Sequence, residues 1–199
     1  MELFVVRHGE TEANRAEELQ GHLDTPLTDR GSEQAKTVAA QLDGYDFDMT
    51  FSSPLKRALD TAKILAQRVS TDIRMSEALK EMCYGEWEGT PKEALRSHEA
   101  WERRVADKYN FDHPGEFRGA PGESYAAIYD RVATFFDDLL DEEYDRVLIV
   151  SHLGVLRNVK KHFEGCSDEA AVEFSPDPLQ VYVVRSDDDG AETELRDYR

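Results

Sequence analysis

Three short apolar segments, each followed by a segment with helical periodicity, constrain the fold of this chain more than any other feature. The segments are Leu3 to Val6, "DMTFSS" at 48–53 and "RVLIVS" at 146–151. Buried strands that alternate with helices are typical of a mostly parallel sheet covered by helices on both faces. We therefore predict a three-layer α/β/α fold, with an antiparallel edge formed by "VYVVRS" and "TELRDY" on either side of the turn-forming "DDDG" at 187–190.

The helical segments have recognisable starts. Thr28 is placed to cap a helix that ends near Gly44, and "LKRALDTAKILAQRV" follows the second strand with apolar residues at helical spacing. Further helices are predicted from Ser124 to Leu140 and in "HLGVLRNVKKHF", directly after the third strand. The segment from about 85 to 122 is less regular, and we interpret it as a helical lid that sets specificity within a single domain, 1–199.

Composition narrows the classes of function. The chain has 199 residues, 42 Asp and Glu against 24 Lys and Arg, and a formal net charge of -18. This charge argues against binding to nucleic acid or to an acidic membrane surface. Cys83 and Cys166 have no metal-ligand spacing, and the first apolar run is too short for a signal peptide. We therefore expect a cytoplasmic protein without a metal site.

Each of the three predicted strands is followed by side chains suited to an anion. Arg7 and His8 follow the first strand, Ser53 and Arg57 the second, and His152 the third. Ligands of open α/β sheets lie outside the carboxyl ends of the strands. Arginine offers a planar fork of donors to phosphate oxygens, and imidazole can act as a nucleophile toward phosphorus. The pattern indicates a phosphate site at this edge of the sheet.

Phosphoryl transfer through a phosphohistidine also needs an acid that protonates the leaving oxygen. The segment "LKEMCYGEWEG" at 79–89 offers Glu81, Glu86 and Glu88. Spacing alone does not choose among these three glutamates.

Several motifs, in order along the whole chain, resemble the histidine phosphatase superfamily, the phosphoglycerate mutase-like proteins. They are "VVRHGETEAN", "LTDRGSEQA", "FSSPLKRALDTA", "EALKEMCYGEWEG", "PGESY" and "VLIVSHLGVLR". The resemblance implies a phosphoglycerate mutase-like fold and a nucleophilic His8 that becomes phosphorylated. It implies that Arg7, Arg57 and His152 hold the phosphoryl oxygens and that Glu81 is the acid.

The resemblance extends to the loop that follows the first strand. Asn14, Gln20 and Gly21 match positions that bind substrate at the phosphate pocket.

Several candidate site residues also have a purely structural interpretation. His152 could cap the next helix, Arg57 could lie on an exposed helix face, and Arg103 and Arg104 could either bind an anionic substrate or lie on a solvated face.

The resemblance favours a metal-independent phosphatase that hydrolyses a small phosphomonoester and needs no cofactor. In mutases of the superfamily, an arginine and a histidine come directly after the catalytic glutamate. In this chain the corresponding residues are Met82 and Cys83. The alternatives are mutase-type phosphoryl transfer, a phosphoprotein phosphatase and a phosphate-sensing protein. The expected partner is a small phosphorylated metabolite, and the expected assembly is a monomer or a homodimer.

Overall fold

A six-stranded mixed sheet forms the centre of the protein. We describe it from a computed structural model of residues 1–187 and 190–198. The strands are β1 (Glu2–Arg7), β2 (Met49–Ser52), β3 (Ile73–Met75), β6 (Arg146–Ser151), β7 (Gln180–Asp187) and β8 (Gly190–Asp197), with a separate pair β4 (Glu116–Phe117) and β5 (Ala120–Pro121). Their order is β3-β2-β6-β1-β7-β8. The first four run parallel, and β7 and β8 are antiparallel to their neighbours.

Helices cover both faces of this sheet. They are α1 (Glu12–Arg15), α2 (Asp29–Gln41), α3 (Lys56–Val69), α4 (Trp101–Ala106), α5 (Tyr125–Leu140), α6 (Leu153–Glu164) and α7 (Asp168–Glu173). Three short 3-10 helices, Glu77–Leu79, Gly85–Trp87 and Ala94–Ser97, lie between β3 and α4. The side chains of Thr28 and Ser124 accept hydrogen bonds from the first turns of α2 and α5 and so fix where these helices begin.

Alternation along β1 explains why the fold has three layers. Leu3 and Val5 pack into one core with α5 and α6, whereas Phe4 and Val6 pack into a second core with α2 and α3. Successive side chains of a strand point to opposite faces, so a fully apolar strand requires cover on both sides. The predicted three-layer architecture with an antiparallel edge is confirmed.

Two parts of the chain differ from the simplest interpretation of the sequence. β3 is an additional edge strand of three residues, and its partly exposed side chains give it no apolar run to recognise. The segment 85–122 combines 3-10 helices, α4 and the β4–β5 hairpin. Of the predicted turn at 187–190, residues 188 and 189 lie outside the described residues. Among the helices described, none is both long and apolar enough to cross a membrane.

Candidate active site

Strand register brings His8 and His152 together. β1 and β6 are parallel neighbours in which Arg7 lies opposite Ser151, and the next residue of each strand is a histidine. The ring centroids of the two histidines are 5.1 Å apart, with an angle of 60° between the ring planes. Both side chains are buried. The first and third strand ends therefore converge on one volume.

The hydrogen bonds of His8 define which ring nitrogen is free to react. Nδ1 lies 2.8 Å from the carbonyl oxygen of Gly9, which can only accept, so Nδ1 carries the hydrogen. Nε2 then holds the lone pair and accepts from Nε of Arg57 at 3.3 Å. Burial, and then the charges of Arg57 and Arg7, hold the pKa of His8 well below its ordinary value. His8 is thus a neutral imidazole with the lone pair on Nε2.

Arg57 is a fully buried guanidinium at the start of α3. Its Nη2 donates to the carbonyl of Gly21 at 2.7 Å, and its Nη1 donates to the carbonyl of Leu23 at 3.1 Å and to Asp24 Oδ1 at 3.3 Å. Asp24 also accepts the backbone N–H groups of Lys56 and Arg57, so a residue of the loop caps α3. These contacts fix the 21–24 loop and the arginine to each other.

Two buried side-chain nitrogens at the site lack a protein partner. Nε of Arg7 and Nδ1 of His152 are buried, and neither has a hydrogen-bond partner among the described residues. Nε2 of His152 lies 2.8 Å from Oγ of Ser53, and Nη1 of Arg7 donates to the carbonyl of Pro176 at 3.4 Å. Burying an unpaired polar group is costly, so these atoms indicate a ligand site.

The surroundings of His152 lower its pKa, as those of His8 do. Burial, followed by the charges of Arg57, His8 and Arg7, holds its pKa well below the ordinary value. Oγ of Ser53 already accepts from the N–H of Leu55 at 3.3 Å, so we assign its hydroxyl hydrogen to Nε2 of His152, which places the hydrogen of the neutral ring on Nδ1, the atom without a partner. This tautomer presents a donor to the volume beside His8.

Glu81 lies against the start of α6. Its Oε1 accepts from the N–H of Met82 at 3.0 Å, and its Oε2 accepts from the N–H of Gly154 at 3.1 Å. Burial raises the pKa of this carboxyl, against the opposing effect of the two backbone hydrogen bonds and of Arg57. Glu81 is therefore the buried carboxyl closest in character to a general acid.

The two alternative glutamates have different surroundings. Glu86 is exposed and lies 3.5 Å from His98. The carboxylate of Glu88 binds four backbone N–H groups, those of Gly21, His22, Leu23 and Tyr84, at 2.8 to 3.0 Å. Glu88 thus holds the loop that contacts Arg57, and the structure separates the three candidates that spacing left open.

The three loop residues that were predicted to bind substrate differ in their contacts. Asn14 and Arg7 line the same cavity of about 310 Å³, and Asn14 Oδ1 accepts from the N–H of Thr11 at 3.2 Å. Gln20 uses both ends of its amide within the loop, accepting from Thr11 and donating to Thr25, each at 2.7 Å. Gly21 allows close packing, because a Cβ there would lie 2.1 Å from the carbonyl oxygen of Met82.

The sequence interpretation missed Arg157 and Tyr125. Arg157 is buried on α6; its Nη1 donates to the hydroxyl of Tyr125, and its Nε donates to the carbonyl of Phe174 at 3.0 Å. The Cε1 atom of Tyr125 would lie 3.4 Å from a Cβ on Gly154. Arg157 lies three residues after Gly154 on the same helix, so the two residues share one face of it. This spacing is the sequence signal that could have identified the arginine.

Comparisons with known proteins identify a matching family and several relatives. The sequence profile of the histidine phosphatase superfamily (branch 1) matches residues 3–197. The adenosylcobalamin/alpha-ribazole phosphatase of Escherichia coli is 34% identical over 180 residues, which cover 89% of this chain and 86% of the relative. Phosphoserine phosphatase 1 of Hydrogenobacter thermophilus is 33% identical over 159 residues, covering 79% of this chain and 73% of the relative.

A solved structure shows the same fold over nearly the whole chain. The alpha-ribazole phosphatase of Shigella flexneri superposes with a TM-score of 0.86 at 30% identity, covering 99% of this chain and 96% of that one. The described residues contain no cluster of three or more His, Cys, Asp or Glu side chains that could hold a metal ion.

Proposed function

The chain belongs to the histidine phosphatase superfamily (branch 1), and we propose that it is a phosphoric monoester hydrolase of the acid phosphatase type that acts through a phosphohistidine on His8. The observation that carries this proposal is the Nε2 lone pair of His8, which accepts from Arg57, together with the buried Arg7 and His152 nitrogens that have no protein partner in the described chain. Phosphatases among the relatives support hydrolysis as the reaction.

The first step transfers the phosphoryl group to the enzyme. The lone pair of His8 Nε2 attacks phosphorus while the bond to the leaving oxygen breaks, and the carboxyl of Glu81 gives its proton to that oxygen. Arg7, Arg57 and His152 donate to the phosphoryl oxygens, whose negative charge is spread over all three in the transition state.

The second step returns the enzyme to its starting state. Glu81, now a carboxylate, takes a proton from water as the water oxygen attacks phosphorus and the P–N bond breaks. Inorganic phosphate leaves, His8 is neutral again and Glu81 is protonated again. The same carboxyl serves as acid and then as base, so its raised pKa suits both steps.

Hydrolysis is favoured over mutase-type transfer by the residues after Glu81. Met82 and Cys83 stand where the mutases have an arginine and a histidine, and their uncharged side chains place no cation at the substrate. The test is turnover of 4-nitrophenyl phosphate with a chelator present. Release of phosphate supports a metal-independent hydrolase, whereas phosphate binding without turnover would identify a sensing protein.

The natural substrate is proposed to be a small phosphorylated metabolite. The unpaired donors lie in a buried volume between strand ends, and the chain's net charge of -18 disfavours large polyanions. A phosphorylated protein is the alternative. Comparing kcat/KM for a free phosphoamino acid with that for a phosphopeptide of the same residue distinguishes the two, and we expect the free compound to be preferred.

A further inference from the structure

A single peptide group connects the imidazole of His8 to helix α2. The group is the amide between Gly9 and Glu10. Its carbonyl accepts from Nδ1 of His8 at 2.8 Å, and its N–H donates to Oε1 of Gln34 at 2.9 Å. Because the amide is planar and trans, these two hydrogen bonds lie on opposite sides of it. Gln34, on α2, therefore acts on the same amide that holds the His8 ring.

The start of α2 packs closely against this amide. A Cβ on Gly31 would lie 2.1 Å from the carbonyl oxygen of Glu10, and a Cβ on Gly9 would lie 2.3 Å from the carbonyl oxygen of Gly31. The N–H of Thr28 also donates to the carbonyl of Glu10 at 2.9 Å. Gln34 comes three residues after Gly31 and shares its face of the helix, so its side chain reaches the N–H of Glu10.

A second helix holds the other side of Gly9. The N–H of Gly9 donates to Oγ1 of Thr61 on α3 at 3.2 Å, and the Thr61 hydroxyl donates to the carbonyl of Arg57 at 2.8 Å. This contact fixes the backbone of Gly9, but it involves the amide between His8 and Gly9. The bond to Gln34, in contrast, acts on the amide whose carbonyl accepts from the imidazole.

The bond from Glu10 to Gln34 strengthens the bond from His8 to Gly9. An acceptor on the N–H of an amide makes its carbonyl oxygen a better acceptor, because hydrogen bonds in a chain polarise one another. A better acceptor at Nδ1–H keeps the hydrogen on Nδ1 and makes Nε2 more basic. Arg57 donates to Nε2 at 3.3 Å, a longer distance than the 2.8 Å at Nδ1, so the Gly9 carbonyl is the stronger restraint on the ring.

We propose that Gln34 is a positioning residue for the nucleophile. Its amide oxygen orients and polarises the Gly9–Glu10 amide, which holds the His8 ring with the Nε2 lone pair directed at phosphorus. The proposal rests on the function proposed above, because it assigns Gln34 a role in the attack by His8. Gln34 also lines the cavity of about 310 Å³ that Arg7 borders, so contact with the substrate is the alternative role of its side chain.

Gln34→Met removes the acceptor and keeps the length of the side chain. We expect kcat/KM to fall by about tenfold with alkyl phosphates and with 4-nitrophenyl phosphate alike, since one hydrogen bond contributes about this much and both substrates need the nucleophile. The inhibition constant for inorganic phosphate should stay at the wild-type value, because the groups that hold phosphate are unchanged. Direct contact between Gln34 and the substrate would raise that constant.

Two further variants test the hydrogen bond itself. Gln34→Glu should retain most of the activity, because a carboxylate oxygen also accepts from the N–H of Glu10. Glu33→Met is the matched control: Glu33 is the exposed neighbour on the same helix and is paired with Lys36, so its loss should leave kcat/KM unchanged. If Gln34→Met does not fold, Gln34→Ala removes the same acceptor without loss of helix propensity.

The bond at Nδ1 of His8 can also be measured without turnover. In proton NMR spectra, the Nδ1–H resonance of His8 is the one that is absent from His8→Ala. We expect it at low field in the wild type, as for a strong hydrogen bond. It should move upfield in Gln34→Met and stay in place in Gln34→Glu and Glu33→Met.

The outcomes separate this inference from the proposed function. Unchanged kcat/KM and an unmoved resonance in Gln34→Met overturn the role of Gln34 and leave the phosphatase intact. A raised inhibition constant for phosphate with an unmoved resonance overturns it in favour of substrate contact, and equal losses in Gln34→Met and Gln34→Glu overturn the role of the acceptor. Absence of turnover by the wild type, with the resonance moving as expected, overturns the proposed function but supports the link between Gln34 and His8.

Discussion

Glu81 and Gly154 are in direct contact. The Oε2 atom of Glu81 accepts from the N–H of Gly154 at 3.1 Å, and a Cβ added to Gly154 would lie 2.1 Å from Oε1. The absence of a side chain at the second position of α6 therefore gives the carboxyl its place. Since His152 directly precedes α6, one helix start positions both the second histidine and the proposed acid.

Gly154→Ala should remove acid catalysis without removing the nucleophile. We expect kcat/KM for alkyl phosphates to fall by about 10²-fold, within the range attributed to general acids, and that for 4-nitrophenyl phosphate to fall much less, because its leaving group needs no proton. Steady-state kinetics with both substrates measure this, and Glu81→Gln should give the same asymmetry. An equal loss with both substrates would show that the substitution damages the phosphate site instead.

Activity should be greatest between the lowered pKa of His8 and the raised pKa of Glu81. His8 must be neutral to attack; because its pKa lies well below 6.5, kcat/KM rises with pH through that lowered value and this rise is complete before neutrality. Glu81 must be protonated; because its pKa lies above 4.5, kcat/KM falls as pH rises through that raised value. A pH profile with an alkyl phosphate, whose leaving group needs the proton, checks this, and the basic limb should flatten in Glu81→Gln. If the basic limb of the profile is unchanged in Glu81→Gln, that limb belongs to another ionisable group.

Glu88→Ala should destabilise the protein, because it leaves four backbone N–H groups without their acceptor. Hydrogen bonds to charged groups contribute about 1.5–3 kcal/mol each, so we expect the free energy of unfolding to fall by about 3 kcal/mol or more. Denaturant unfolding measures the change. Glu86→Ala is the matched control, since Glu86 is exposed two residues away, and comparable stability of the two variants would refute the role of Glu88.

Ser53→Ala should weaken the phosphate site through His152. The hydroxyl of Ser53 lies 2.8 Å from Nε2 of His152 and selects the tautomer that carries a hydrogen on Nδ1. We expect the inhibition constant for inorganic phosphate to rise by about tenfold, the effect of one weakened charge-assisted hydrogen bond. Ser52→Ala is the neighbouring control, because Ser52 Oγ donates only to the carbonyl of Ser53. Equal inhibition constants for wild type and Ser53→Ala would contradict this role.

The sequence predicts the strand ends well because their chemistry is local. An apolar strand that stops at Arg7 or Ser151 places the next side chain at the edge of the sheet, and parallel register then brings His8 and His152 together. β3 escaped prediction because it is short and pairs only at the edge of the sheet.

The choice among the three glutamates and the positions of Arg157 and Gln20 depend on contacts between distant segments. Glu81 is distinguished by Gly154, which lies 73 residues away, and Glu88 by a loop more than 60 residues before it. Gln20 matches a substrate-binding position, yet its amide is bonded within its own loop. The periodicity of a single sequence does not show which distant residue a polar side chain will bond to.

The most direct test of the account is to trap the phosphoenzyme. In Glu81→Gln an aryl phosphate should still phosphorylate the enzyme, because its leaving group needs no acid, whereas hydrolysis should slow because the base is missing. Intact-protein mass spectrometry after a denaturing quench, with chelator present, would detect the covalent phosphoryl group. His162→Ala in the same background is the control, since His162 pairs with Asp137 away from the site.

The phosphohistidine mechanism predicts one acid-labile phosphoryl group on Glu81→Gln and on its His162→Ala derivative, located on His8, and none on the His8→Ala derivative. A phosphoryl group of the same stability on the His8→Ala protein, or full turnover by His8→Ala alone, would contradict it.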